Sequence, residues 1–488
     1  MLFAISFFLN AATNFAFGLT LSAILGPAEF GRYSTVQLAS ITLAGGTLDW
    51  LRYSTLRFSG DDEAKATVAS SLEAGYLGLT LLVYLVVLGL AGFGVTFGLG
   101  LPLLLLTPLL GVAAHRVDFT GARFRARDES VPFAAIYGSR QLLCFTLVVA
   151  TAYATRNAVL TVAVLAAANI IPAIAFAPRA RVAGTALNKA SAERLKQFFL
   201  YAKPIVFSLV VYQLVGLVNR NVALAHLGAE ATGKFSLAAD LGLRLFGAAN
   251  SLPELMLFQY VLRIDRTDGR AAAERQQSRN ISLALGFLAP LAVGYAVMAP
   301  TFEALMAPAA YRGSFASLSA ELVPGYFALF AIISAVSPLF QLQGLTWQLS
   351  LASLVALAVD LVLVEFTPLA ASVDGLAIAY SVSLATALLA TTIVAFRASK
   401  VRPSPRDLIV ITVATAAMAL VIRPLNGLPS HAGAALLAIL VATVVLAGAY
   451  LTFDVGGVRT FLMGASRGAL RWRRDPAGPA SPEPAAGG

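Results

Sequence analysis

The sequence predicts an all-α, polytopic membrane fold on three grounds. It is 58% apolar and only 12% charged over 488 residues. Its mean hydropathy is +0.79. Its apolar residues fall in blocks of about 20, the length a helix needs to cross a hydrocarbon core about 30 Å thick. A soluble chain has roughly 45–50% apolar and about 25% charged residues, so a water-soluble fold is excluded. An outer-membrane barrel is excluded too, because its strands alternate polar and apolar residues over about 10 positions.

The first block, residues 2–25, has no basic leader and carries Asn10, Thr13 and Asn14 within its apolar run, so it reads as a retained span and not a secretory signal. Charged or Gly/Pro-marked breaks then separate spans near 33–56, 71–97, 100–119, 132–154, 158–177 and 200–225. Seven more follow near 235–259, 281–305, 321–344, 346–368, 374–396, 407–424 and 432–453, which makes fourteen. Cys144 is the single cysteine, so it forms neither an intrachain disulfide nor a metal cluster. The sequence calls for no cofactor and no metal.

Lys and Arg alternate between the two sides of this arrangement. Loops after even-numbered spans and the tail hold about 27 of them, against about five after odd-numbered spans. Short cytoplasmic loops carry the positive excess, so both termini are expected in the cytoplasm of a cell with an inner membrane. The same alternation accounts for the net charge of +10, and no basic stripe interleaved with aromatics suggests nucleic acid. In the tail, Val458, Phe461, Leu462, Ala465, Ala469 and Trp472 recur at helical spacing beside five arginines, as in a helix lying on an anionic leaflet. The Pro/Ala/Gly-rich stretch beyond Asp475 reads as disordered.

The segment LGPAEFGRYS (25–34) recurs as LGAEATGKFS (227–236), each copy lying between two spans on the outer side. The offset contains six spans. The chain therefore reads as an N-lobe at 1–200, a C-lobe at 201–400, two extra spans at 401–453 and a cytoplasmic tail at 454–488. Repeats of this kind are common in transporters, with the substrate path between the halves. Gly228, Gly233 and Lys234 match the spacing of a phosphate-binding loop. However, Phe235 stands where that loop needs Ser or Thr, and no strand precedes it, so a tight turn between spans is the better account.

An ionisable group at mid-bilayer costs roughly 2.5–3.5 kcal/mol, so each one asks for a partner or a wet cavity. The eighth span puts Ser236, Asp240, Arg244, Gly247, Ser251 and Glu254 on one face, with Asp240 and Arg244 spaced to pair. The seventh adds Gln213, Gly216 and Arg220, the first Asn10 and Asn14, the second Gln37, Asp49 and Arg52, and the fifth Arg140. Two readings stay open. In one, these are local pairs and snorkelling arginines. In the other, Asn10, Asn14, Gln37, Arg52, Arg140, Gln213, Arg220 and Arg244 line a substrate cavity, with Asp49, Asp240, Glu254 and Asp360 as ion-coupling or charge-pair candidates. His115, His226 and His431 stand isolated, and no loop holds a Ser/His or paired-carboxylate arrangement.

LGPAEFGRYS, its echo LGAEATGKFS, the stretch APAAYRGSFASLSAELVPGYFALF before the tenth span, and the span count together resemble the Wzx-like polysaccharide flippases of the multidrug/oligosaccharidyl-lipid/polysaccharide superfamily. The resemblance implies a MATE/MurJ-like fold of two six-helix lobes with two added helices. It also implies a carrier, not an enzyme, that moves a lipid-linked oligosaccharide on undecaprenyl diphosphate outward for O-antigen or exopolysaccharide synthesis. The implied partners are membrane lipids, a glycan polymerase and chain-length machinery. Relatives usually carry a short segment before the first span, whereas Met1 opens directly into it here. The alternatives are a cation-coupled small-molecule exporter of the same superfamily and a membrane-embedded glycan polymerase or ligase.

Overall fold

The computed structural model describes residues 2–59, 65–343, 345, 347–460 and 463, and within its helices the side chains at 2–11, 204, 205, 252–256, 258 and 259 fall outside that description. Among the described residues there is no strand. Each expected span meets a helix. In chain order these are α1 (2–25), α2 (27–58), α3 (Lys65–Gly92), α4 (Leu101–Ala126), α5 (Ser130–Thr155), α6 (Ala158–Ala180) and α7 (Ala192–Val222). They continue with α8 (Gly228–Thr267), α9 (Arg270–Val297), α10 (Phe315–Gln343), α11 (Trp347–Phe366), α12 (Val373–Ala398), α13 (Pro405–Ile422) and α14 (His431–Phe453). Among the described residues, eleven continuous stretches are long and apolar enough to cross a membrane, and one of them, Val206–Ser251, runs from within α7 into α8. The protein is a multi-pass membrane protein.

Local chemistry sets the helix ends. Asn157, Ser191, Ser372, Ser404 and Ser430 each accept a backbone N–H of the first turn that follows, so donors left free by helix geometry are satisfied inside the chain. Several helices run on past the expected spans. Arg116, Arg123 and Arg125, expected in a loop, lie within α4, and Arg263 and Arg266 lie within α8. The helix α4 can continue past the hydrocarbon because its arginines find partners there: Arg116 and Arg123 pair with Glu73 of α3.

The two copies of the repeat adopt the same break. Gly26 (φ 71°, ψ 171°) separates α1 from α2, and Gly228 (φ 87°, ψ 172°) separates the π-turn Ala223–Leu227 from α8. That backbone conformation is open to glycine and strained for other residues. The copies also pack on each other. A Cβ on Gly233 would stand 1.8 Å from the Pro27 carbonyl oxygen, and one on Gly31 would stand 2.3 Å from the Ala229 carbonyl oxygen. This mutual approach places a pseudo-twofold axis between the turns and relates two six-helix lobes, α1–α6 and α7–α12. Matching contacts recur in each: α4 packs on α6 as α10 packs on α12, and the α1–α2 helices meet α4 as α8 meets α10. The added helices α13 and α14 lie against each other and, through α13, against α9. The helix α14 is the most lipid-facing, with Leu436, Ile439, Leu440 and Val444 exposed.

Candidate functional site

The polar residues expected to share one cavity divide into three groups. The first forms a cavity of about 310 Å³ in the N-lobe, lined by Gln37, Ser40, Asp49 and Arg52 of α2, His115 and Asp118 of α4, Arg140 of α5, Asn169 of α6 and Gln213 of α7. With Ile41 and Gly45, which also line it, the α2 positions 37, 41, 45, 49 and 52 recur at three- and four-residue steps and so share a face. Gly111 brings α4 against α2, since a Cβ there would stand 2.6 Å from the Ser40 carbonyl oxygen. Five sequence candidates meet here: Gln37, Asp49, Arg52, Arg140 and Gln213.

Two charge pairs divide this cavity. Arg52 meets Asp49 through two contacts of 3.3 Å, Nε to Oδ1 and Nη2 donating to Oδ2, and Arg140 faces Asp118 at 3.7 Å. Asp118 also accepts a 3.0 Å hydrogen bond from the Tyr137 hydroxyl. His115 is not isolated: its Nε2 lies 3.6 Å from Asp49, and its ring stacks on Tyr76 and Phe119. Arg140 Nε, Asn169 Oδ1 and Gln213 Oε1 are buried without a hydrogen-bond partner among the described residues. An unmade hydrogen bond costs about 1–3 kcal/mol per buried group, so these atoms have hydrogen-bonding capacity that a polar guest would meet. Sequence reasoning missed His115, Asp118 and Asn169. The four- and three-residue steps from Gly111 to His115 to Asp118 were the available signal.

The second group lies at the interface between the lobes. Arg220 of α7 pairs with Asp240 of α8 and donates to the Ser34 carbonyl of α2 at 3.0 Å. Arg244 donates to the Asn14 backbone carbonyl of α1. The expected Asp240–Arg244 pair does not form, because α7 presents Arg220 to the carboxylate while Arg244 turns across to α1. Arg220 is 2% exposed. It and Arg244 bridge the lobes, and neither lines the N-lobe cavity, although Ser34 lies one helical turn from Gln37.

The third group lies inside the C-lobe. Asp360 of α11 is fully buried, and Asn219 of α7 donates to both of its oxygens at 2.9 Å. Ser383 of α12 is within hydrogen-bonding reach. The side chains of Asn10 and Glu254, and the tail beyond Met463, lie outside the described residues.

A separate apolar cavity of about 670 Å³ lies between α8, α9, α13 and α14, lined among others by Leu245, Gly286, Pro290, Met418, Ala438 and Ala442.

Two six-helix lobes related by a pseudo-twofold axis, with a polar chamber in one and two helices appended to the other, define the fold of MATE-type and MurJ-type transporters. Among solved structures the chain is similar to the lipid II flippase MurJ in its inward closed conformation, with a TM-score of 0.74, 12% identity, and 93% of this chain and 98% of that one covered. It is also similar to an inward-facing MATE-family multidrug transporter (TM-score 0.59, 15% identity, 80% and 94% covered). A third likeness is to a multidrug/oligosaccharidyl-lipid/polysaccharide superfamily transporter from Pyrococcus furiosus (TM-score 0.53, 15% identity, 81% and 93% covered). The sequence matches no protein-family model and no curated protein.

Proposed function

We propose that the protein is a flippase that carries a lipid-linked oligosaccharide, built on undecaprenyl diphosphate, from the cytoplasmic to the outer leaflet of a bacterial inner membrane. Both termini are cytoplasmic in this reading, and the step serves the synthesis of a surface polysaccharide. The observation that carries it is the N-lobe cavity: two arginines, Arg52 and Arg140, face it together, and three polar atoms in it lack partners among the described residues.

A diphosphate cannot cross bare hydrocarbon, since an isolated ion costs tens of kcal/mol there by Born estimate. Guanidinium groups replace its water by forking onto phosphate oxygens, a geometry that Lys lacks. Arg52 would exchange Asp49 for phosphate, and Arg140 would exchange Asp118. The apolar cavity beside α13 and α14 suits the polyprenyl chain, which keeps its tail out of water while the headgroup travels. Breaking the Arg220 and Arg244 bridges opens the outer half of the path. With the interior negative, moving about two negative charges outward is favoured by roughly 4–5 kcal/mol per 100 mV. The likeness to a lipid II flippase supports a lipid-linked substrate.

A second reading, a cation-coupled small-molecule exporter, is favoured by one observation. Asp360 is buried with Asn219 and Ser383, a set that suits a proton or a small cation. Proteoliposomes separate the two readings. The flippase reading expects a fluorescent undecaprenyl-diphosphate glycan to become reducible from outside at a rate set by the protein. Cation-driven efflux of a small organic dye without glycan movement would select the exporter.

A further inference from the structure

A groove of about 370 Å³ runs along the outer wall of the N-lobe, between α3 and α6 over the back of α4. Leu77, Leu109, Val112, Ile170 and Ile174 line it, and Leu77 and Ile174 are exposed at its edges. Arg116 lies at its end toward the cytoplasm, in the orientation set by the basic loops. Glu73 receives both Arg116, at 2.8 and 3.1 Å, and Arg123, at 2.7 Å. Two guanidinium groups thus share one carboxylate. Arg123 is 8% exposed, and its Nη2 has no partner among the described residues. Arg116 and Arg123 both lie over the Phe119 ring, and Arg116 also lies over Tyr76. One positive charge of this cluster is left without a counter-charge at the cytoplasmic end of the groove.

We propose that this groove binds an anionic phospholipid of the cytoplasmic leaflet, with an acyl chain along α4 and the headgroup phosphate on Arg116. Charge complementarity selects the occupant. A zwitterionic lipid fills the groove equally well but brings no net charge, whereas phosphatidylglycerol neutralises the surplus. The stacked rings of Tyr76, His115 and Phe119 separate the groove from the N-lobe cavity, so this lipid is not the transported one.

The test reports from the groove itself. The three natural tryptophans, Trp50, Trp347 and Trp472, are changed to Phe, and Leu77→Trp supplies the reporter. The full chain is reconstituted with brominated phosphatidylglycerol or brominated phosphatidylcholine, and quenching gives the relative affinity at that position. The expected preference for phosphatidylglycerol is about fivefold, and it falls to none with Arg116→Gln. Because that change also disturbs Glu73, Ala177→Phe provides a second arm that crowds the groove and leaves the ion cluster intact; it too should abolish the preference. Equal quenching by both lipids in the parent chain, or a preference that survives both variants, overturns the proposal.

Discussion

Arg220 and Asp240 form a buried ion pair between α7 and α8, and the same guanidinium reaches across the lobes to the Ser34 carbonyl of α2. Removing one partner of such a pair leaves a charge stranded, at a cost of about 3–5 kcal/mol, while removing both charges costs far less. Arg220→Ala should therefore lower the thermal unfolding midpoint more than the double change Arg220→Leu with Asp240→Asn. Equal losses in both would mean that the pair is not desolvated as described.

The Gly31 and Gly233 contact predicts a conformational effect. A side chain at Gly233 meets the Pro27 carbonyl 1.8 Å away, so the repeat turns cannot close on each other. In a background lacking Cys144, a cysteine placed at Thr232 is buried and should resist a water-soluble thiol reagent. Gly233→Val should raise its labelling by about tenfold or more, while Gly78→Ala, which meets nothing within 4 Å, should leave it unchanged.

The Asp360 site predicts a split between stability and transport. Asn219 donates to both carboxylate oxygens, so Asp360→Asn keeps the volume but turns one hydrogen bond donor-to-donor. Transport should fall about tenfold and lose its dependence on a sodium or proton gradient, measured in proteoliposomes with each gradient imposed separately. Unchanged gradient dependence would assign Asp360 to structure alone.

The apolar cavity predicts chain-length dependence. Ala442→Trp narrows the wall between α9 and α14 without touching the N-lobe cavity. It should weaken binding of undecaprenyl diphosphate by about tenfold and leave geranyl diphosphate within twofold, because each buried methylene is worth about 0.8 kcal/mol. Equal losses for both ligands would show that the tail lies elsewhere.

Much of this fold was legible in the sequence because membrane helices announce themselves by length and apolarity. The repeat turns were legible because Gly26 and Gly228 have no ready substitute at their backbone angles. Within the site, Gln37, Asp49 and Arg52 could be read as one face, since helical spacing fixes neighbours on a single helix. Partners on different helices could not. Asp240 and Arg244 satisfy the spacing rule for a pair, yet Arg220 takes the carboxylate from the adjacent helix. Likewise His115 stands one helical turn from Asp118 in the sequence, but its proximity to Asp49 exists only once α2 and α4 have packed.

The central claim is that Arg52 and Arg140 of the N-lobe cavity carry the diphosphate headgroup across the membrane. The most direct measurement is the leaflet distribution of the lipid-linked glycan in cells depleted of the protein and supplied with the Arg52→Ala, Arg140→Ala double variant. The account predicts that the glycan accumulates in the cytoplasmic leaflet although the variant reaches the membrane in normal amount. Outer-leaflet exposure equal to that given by the unaltered protein would contradict it.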